Sequence, residues 1–290
     1  MHEKILIGTA SFGQKYGIAN TQCINQAEVR QVLEMSRNLG LAGVDTAPAY
    51  GDSEKILGSA GLNGLKTYSK VEKALDLTNL RELRSSVQRS CLRLGVETLH
   101  GICVHSHEQF LSGGRVGVSN LLHLTEEGLI KTWGVSAYTL NEVEQVLRIS
   151  ESIDYLQVPV SVANQEFISK RASILLDGVR ADLHARSVFL QGALLMSPDK
   201  LPETLAPMRE MLEVFRNAAS HIGLSVYQAA LNFVTNQERL ALVIVGVNSP
   251  SQVATLSNSL ASISKRRIEI LENSLKGFDS EHADPRKWSF

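Results

Sequence analysis

Residues 44–54 read Val44-Asp-Thr-Ala-Pro-Ala-Tyr-Gly-Asp-Ser-Glu54, where an apolar run ends in Asp45 and a proline turn then presents Tyr50 just before a glycine. A tyrosine is a poor acid at neutral pH, because its ordinary pKa is about 10. Beside a carboxylate and a lysine ammonium it can become a usable proton donor. The stretch therefore predicts a proton-donating site, provided that the fold brings a lysine and an orienting histidine to it.

The composition of the chain limits the classes of protein to consider. It has 290 residues, 43% of them apolar, and a formal net charge of −1. This charge gives no argument for binding nucleic acid or an anionic membrane surface. No apolar run approaches the ~18 residues that span a bilayer, and the N-terminus has no signal-peptide pattern. Cys23, Cys91 and Cys103 have neither disulfide nor metal-ligand spacing, so we expect a reduced, cytoplasmic protein without a structural metal.

Short apolar runs alternate along the chain with segments of helical periodicity. The predicted strands are Ile5–Gly8, Ala42–Asp45, Thr67–Lys70, Gly101–His105, Lys131–Ser136, Tyr155–Val158, Asp182–Ser187 and Leu242–Val245. The predicted helices include Gln26–Leu39, Asn79–Leu94, Leu140–Ile149, Phe167–Leu176 and Ser225–Val234. Eight such units fit a closed (β/α)₈ TIM barrel, with an open doubly wound sheet as the alternative. We predict one barrel domain over residues 1–290, with residues 277–290 as a C-terminal tail.

Four polar residues fall at the ends of consecutive predicted strands. Asp45 ends the second strand and Tyr50 follows in its loop, while Lys70 and His105 end the third and fourth. In a parallel barrel the chemistry gathers at these C-terminal ends, and neighbouring strands lie about 4.8 Å apart. Strand alternation places Cys103 one layer deeper, as a core residue. Each residue alone has an ordinary structural explanation, but their joint position favours a site.

These residues and their neighbours resemble the aldo-keto reductase superfamily over residues 5–257. The most specific element is Asp45-Thr-Ala-x-x-Tyr-Gly51 followed by Ser53-Glu54, and Lys70 and His105 occur in the family's order. The opening segment, residues 8–17, is also similar to a bacterial subgroup found near surface-glycan genes. The resemblance implies an NAD(P)H-dependent enzyme that reduces an aldehyde or ketone, such as a sugar-derived carbonyl, to an alcohol.

The family's residue roles transfer to this chain position by position. Tyr50 would be the general acid, Lys70 with Asp45 would lower its pKa, and His105 would orient the carbonyl of a small-molecule substrate. Ser136 and Gln157 would hold the nicotinamide carboxamide. The cofactor-binding residues implied by the resemblance are Gly8, Thr9, Asp45, Ser136, Gln157, Ser187, Gly192, Gly246, Asn248 and Gln252.

The sequence departs from the family pattern in two places that concern the cofactor. Ala137 stands where the family commonly has an asparagine, so one carboxamide hydrogen bond is missing. No arginine or lysine occurs between residues 246 and 264, although a ribose phosphate favours a cationic fork. NADP(H) is the family's usual cofactor, and NAD(H) stays open beside it.

Two other functions remain as alternatives. His105 and His107 form an H-x-H pair at a strand end that could share a metal in a hydrolase, with His184 as a further ligand. A barrel of this type could also be a non-catalytic reader that binds a nicotinamide and signals redox state to a partner. We expect the substrate to be selected by loops 106–117 and 188–224 and by the tail, whose Trp288 and Phe290 either dock on the body or cover the pocket. The oligomeric state has no sequence signature.

Overall fold

The computed structural model describes residues 1–18, 24–276, 278 and 283–288. In this part of the chain, eight parallel strands close into one barrel in sequence order. They are β1 (Ile5–Gly8), β2 (Gly43–Asp45), β3 (Lys66–Lys70), β4 (Leu99–Val104), β5 (Ile130–Ser136), β6 (Tyr155–Pro159), β7 (Asp182–Arg186) and β8 (Leu240–Gly246). β1 pairs with both β2 and β8, which closes the ring. The barrel prediction is confirmed and the open sheet is wrong.

Helices follow the strands and cover the outside of the barrel. They are α1 (Gln26–Asn38), α2 (Ser53–Ala60), α3 (Leu80–Leu94), α4 (His107–Glu126), α5 (Leu140–Ile149), α6 (Lys170–Leu175), α7 (Arg209–His221), α8 (Val226–Thr235), α9 (Pro250–Ser259) and α10 (Lys265–Ser274). Local capping sets several of their starts, because the side chains of Asn25, Thr139 and Ser225 each accept a hydrogen bond from a backbone N–H of the first turn. Within the described ranges, no helix has both the length and the apolar character that crossing a membrane requires.

The predicted loop 106–117 is wrong, because most of it belongs to α4. Ser106 caps this helix by accepting a hydrogen bond from the N–H of Gln109. The glycine pair Gly113-Gly114 favours a loop in the sequence, but Gly113 serves close packing. A Cβ added there would lie 2.7 Å from the Cβ of Leu77. Gly114 marks a kink in the helix, with φ 52° and ψ −147°.

The barrel interior is filled with side chains, so the open space lies at the mouth. Leu6, Tyr68, Cys103 and Tyr155 form a buried cluster inside the barrel, and His184 stacks on Tyr155 at 4.3 Å between ring centroids. Burial raises the pKa of the Cys103 thiol to about 12, as expected of a core residue. Cys91 and Cys103 are free thiols, and Cys23 lies outside the described residues.

Candidate active site

A buried polar group forms the floor of the barrel mouth. Lys70 Nζ donates to Asp45 Oδ1 at 2.6 Å, and Gln157 Nε2 donates to Asp45 Oδ2 at 2.8 Å. Lys70 and Asp45 are each 4% exposed. Burial lowers the pKa of Lys70, but Asp45, Tyr50 and Cys103 together raise it by more, so the net pKa lies above the ordinary lysine value. A fixed ammonium is therefore present under the mouth at neutral pH.

The loop that carries Tyr50 is fastened to the loop after β1 by two glycines. Gly51 has a φ of +59°, a conformation that favours glycine, and a Cβ there would lie 2.4 Å from the carbonyl oxygen of Gly13. A Cβ on Gly13 would in turn lie 2.1 Å from the carbonyl oxygen of Tyr50. This contact holds the Tyr50 ring with its centroid 5.3 Å from Lys70 Nζ.

Two opposing effects set the pKa of Tyr50. Burial raises it above the ordinary tyrosine value, and the opposing effect of the Lys70 ammonium does not reverse the shift. Lys70 does lower the pKa of Tyr50, as expected, but burial raises that pKa by more, because the phenolate loses its surrounding water. Tyr50 keeps its proton throughout the neutral range, and Lys70 still stabilises the phenolate that remains once the proton has left.

His105 lies one residue beyond β4 and is electrically neutral. Burial, with smaller contributions from Lys70 and Lys73, lowers its pKa to about 3. Its backbone N–H donates to the side chain of Gln109 at 3.2 Å, which fixes the backbone beside the pocket. At neutral pH the ring can therefore orient a bound group by hydrogen bonding and brings no charge of its own.

One pocket of about 1100 Å³ opens at the C-terminal ends of the strands. This volume exceeds the roughly 300–1,000 Å³ usual for a single small ligand, so it has room for a dinucleotide and a substrate together. All the predicted site residues line it: Gly8, Thr9, Asp45, Tyr50, Lys70, His105, Ser136, Gln157, Ser187, Gly192, Gly246, Asn248 and Gln252. Their individual roles stay predictions.

The backbone on one side of the pocket fits the approach of a dinucleotide. Ser187, Leu190 and Gln191 have positive φ values of 63°, 47° and 54°, and Gly192 follows at 98°. Such strained conformations concentrate at functional sites. At Gly246 an added Cβ would meet only a carbonyl oxygen at 4.0 Å, so the backbone borders open space there.

Several residues predicted to bind the cofactor also form hydrogen bonds within the protein. Thr9 Oγ1 donates to the carbonyl of Asp45 at 3.0 Å. Gln252 accepts a 2.7 Å hydrogen bond from the N–H of Asn248 at the start of α9. The amide nitrogen of Gln157 donates to Asp45, so a contact of Gln157 with a carboxamide would have to use its remaining hydrogen-bonding capacity.

The metal-hydrolase alternative lacks a ligand set. His107 Nδ1 lies 3.3 Å from a carboxylate oxygen of Glu142, and His184 is stacked on Tyr155 inside the barrel. In the described part of the chain, no group of three His, Cys, Asp or Glu side chains could hold a metal ion. His105 and His107 therefore do not meet a third ligand.

The sequence reasoning missed several residues that line the pocket: Tyr16, Lys73, Tyr138, Arg186 and Arg286. Arg186 ends β7, so the strand-end rule that selected Lys70 could have selected it too. Arg286 and Pro285 reach the pocket from the tail, while Trp288 packs against the main hydrophobic core. The described part of the tail thus both docks on the body and borders the pocket, whereas Phe290 lies outside the described residues.

Comparisons with known proteins agree with this architecture. The model of the Aldo/keto reductase family matches residues 4–276. The aldo-keto reductase AKR11C1 from Bacillus halodurans, in its holo form, has a TM-score of 0.77 and 17% identity over 97% of this chain and 95% of that chain. An aldo/keto reductase from Klebsiella pneumoniae, solved with NADP and acetate, has a TM-score of 0.68 and 21% identity over 93% of this chain and 90% of that one. No curated protein matches the chain. At these identities the structural likeness shows the fold.

Proposed function

Because the chain belongs to the aldo/keto reductase family and is an NAD(P)H-dependent oxidoreductase, we propose that it reduces an aldehyde or ketone to an alcohol with Tyr50 as the general acid. The observation that carries this proposal is the position of Tyr50 beside the buried Lys70–Asp45 pair, at the wall of a pocket large enough for cofactor and substrate. NADP(H) is the proposed cofactor, as in the Klebsiella pneumoniae structure. A sugar-derived carbonyl is one substrate that such a site would accept.

The proton-transfer half of the reaction follows from the geometry of three side chains. The hydride that the carbonyl carbon receives would come from NADPH held at the mouth of the pocket. Tyr50 gives its phenolic proton to the carbonyl oxygen, and the Lys70 ammonium stabilises the phenolate left behind. Asp45 keeps Lys70 charged and in place through its 2.6 Å hydrogen bond.

Neutral His105 orients the carbonyl beside Tyr50. Holding the reacting atoms in one geometry removes part of the entropic cost of the reaction. A charged imidazole would compete with Tyr50 as a proton donor, and a pKa of about 3 prevents this at neutral pH. The orienting and proton-donating roles are thus divided between the two residues.

The proposed cofactor contacts run across the mouth of the pocket. Ser136 and Gln157 would hold the nicotinamide end of the cofactor. The Ser187–Gly192 loop would hold the middle of the cofactor. Gly246, Asn248 and Gln252 lie beside the start of α9 and would hold the adenosine end. Pro250 has no N–H and Ser249 caps the N–H of Gln252, so this helix start offers few free donors to a phosphate.

Removing one hydroxyl group tests the proposal. We expect Tyr50→Phe to lower kcat by about 10²–10⁴-fold while the dissociation constant for NADPH changes less than ~3-fold. Tyr16→Phe is the matched control, since it removes a phenolic hydroxyl from the same pocket, and it should keep most of the turnover. Full activity of Tyr50→Phe on a verified substrate would refute the proposed mechanism.

A single-turnover experiment distinguishes the proposed enzyme from the non-catalytic redox reader. The protein is loaded with NADPH and mixed with excess 4-nitrobenzaldehyde, and the absorbance of the reduced nicotinamide is followed. The proposed enzyme oxidises the bound cofactor faster than the free cofactor reacts. Equal rates for bound and free NADPH, with this aldehyde and with simple sugars, would favour the reader.

A further inference from the structure

Arg186 is a cation at the mouth of the pocket that forms no ion pair with a described side chain. Its guanidinium lies 3.8 Å from the ring centroid of Tyr138 and donates to the carbonyl of Ala137 at 3.3 Å and to Ser187 Oγ at 3.4 Å. Within the ranges that the structure describes, it forms no salt bridge with a carboxylate, although it acts at longer range on Asp284, which is already paired with Arg286. A guanidinium carries five N–H donors, so most of them are not used by these two neutral oxygens.

Arg286 stands beside the same ring and makes an informative contrast. Its guanidinium lies 3.6 Å from the Tyr138 centroid, so the two arginines must occupy opposite faces of the ring. Arg286 is paired with Asp284 at 2.7 Å and with Glu142 at 3.2 Å. The charge of Arg286 is therefore balanced locally, whereas the charge of Arg186 is not.

The electrostatic environment of the proposed catalytic residues is positive. The charged residues that line the pocket are Lys70, Lys73, Arg186, Arg286 and one carboxylate, Asp45, which is already bound to Lys70. The pKa of His105 is lowered to about 3 chiefly by burial, but Lys70, Lys73 and Arg186 all contribute in the same direction. A cleft lined by one sign of charge concentrates ligands of the opposite sign.

We propose that the substrate carries, besides its carbonyl group, a carboxylate or a phosphate, and that Arg186 binds this anionic group. The inference rests on the proposed carbonyl reduction and specifies its substrate class. The planar fork of an arginine matches both anions, and its position on Tyr138 keeps it fixed. Binding the anion at Arg186 aligns the carbonyl with Tyr50 and His105, so the charge contributes to orientation as well as to affinity.

Matched substrate pairs measure the anion preference. The pairs are 4-carboxybenzaldehyde with its methyl ester, and glyceraldehyde 3-phosphate with glyceraldehyde. In wild-type protein, at least one anionic member should have a kcat/KM about 10-fold or more above its neutral partner, the usual strength of a hydrogen-bonded charge pair. The pair that shows the preference distinguishes a carboxylate from a phosphate, and added salt should reduce it.

Variants of Arg186 and Arg286 show which of the two residues causes the preference for an anionic substrate. Arg186→Met should bring the ratio of the two kcat/KM values close to one, and Arg186→Lys should restore part of it. Arg286→Gln is the matched control: it removes a charge from the same ring, but one already paired with Asp284 and Glu142, so the ratio should persist. Loss of the ratio in Arg286→Gln but not in Arg186→Met would overturn the assignment.

The cofactor's own phosphates are the other source of an anion, and binding measurements separate the two. If Arg186 served the cofactor, Arg186→Met would raise the dissociation constant for NADPH and slow both members of each pair equally, which would overturn the proposal. A wild-type protein that reduces the neutral aldehydes without any anion preference would also overturn it, while leaving the proposed function intact.

Calorimetric titration of terephthalate into the protein–NADP⁺ complex gives a readout independent of turnover. Binding that is lost in Arg186→Met would support the anion site even if no aldehyde were reduced, a result that would refute only the proposed function.

Discussion

Removing one partner of the Lys70–Asp45 pair should lower the free energy of unfolding far more than replacing both partners with uncharged residues. At 2.6 Å the attraction between the two charges is about 6 kcal/mol for an effective dielectric constant of 20, and each charge loses several kcal/mol of hydration on burial. The two contributions nearly cancel while both partners are present. Lys70→Met leaves Asp45 charged and buried, so we expect it to lower the free energy of unfolding by about 3–5 kcal/mol. For a chain of this size this corresponds to roughly 5–8 °C in Tm.

The double variant Asp45→Asn with Lys70→Met should recover much of this loss. It holds no buried charge, and the asparagine oxygen can still accept the hydrogen bond from Gln157. Arg148→Met is the surface control, because its salt bridge with Glu144 is largely exposed and should contribute under about 1 kcal/mol. Urea unfolding followed by the fluorescence of the buried Trp133 measures all three. A Lys70→Met variant as stable as wild type, or a double variant that is less stable than Lys70→Met, would refute the reasoning.

Two further predictions concern pH and the cofactor. Burial lowers the pKa of His184 to about 3 in the folded protein, whereas in the unfolded chain this residue is protonated below about pH 6.5. The unfolded state is therefore favoured increasingly as the pH falls from 6.5 towards 3. Because of His184, the free energy of unfolding should fall by about 2 kcal/mol between pH 7 and pH 5. Urea unfolding of His184→Phe should not show this decrease, and an equal decrease in both proteins would contradict the prediction. The pocket residues from Gly246 to Thr255 include no cation. Fluorescence quenching should therefore give dissociation constants for NADPH and NADH within about 10-fold of each other, and a preference above ~100-fold would show that another residue binds the ribose phosphate.

The fold could be predicted well because its signal is local and repeated. Each of the eight predicted strands is present, with ends within two residues of the prediction. Short apolar runs separated by helical segments leave few ways to bury both faces of a sheet. Closure of the barrel was less certain, since an open sheet has the same alternation, and the pairing of β1 with β8 decides it. The error at 106–117 arose because glycine indicates flexibility in a sequence, whereas Gly113 is required by close contact with Leu77.

The candidate site could be predicted at strand ends and not beyond them. Asp45, Lys70 and His105 were identifiable because parallel strands bring their C-terminal ends to one face. The same rule applied to β7 would have added Arg186. Arg286 could not have been found this way, because it reaches Tyr138 from about 150 residues away in sequence, through docking of the tail.

The sequence by itself determined the eight alternating strand and helix units and the polar residues at the ends of the second to fourth strands, because strand alternation and strand order are properties of the linear pattern. The tertiary structure alone decided how those side chains behave. Burial raises the pKa of Tyr50 despite Lys70, and it keeps His105 neutral. The ion pairs of Arg286 with Asp284 and Glu142, and the stacking of Arg186 on Tyr138, are also tertiary properties. Hydration and the distances between charges depend on the whole packed fold, so no local pattern in the sequence specifies them.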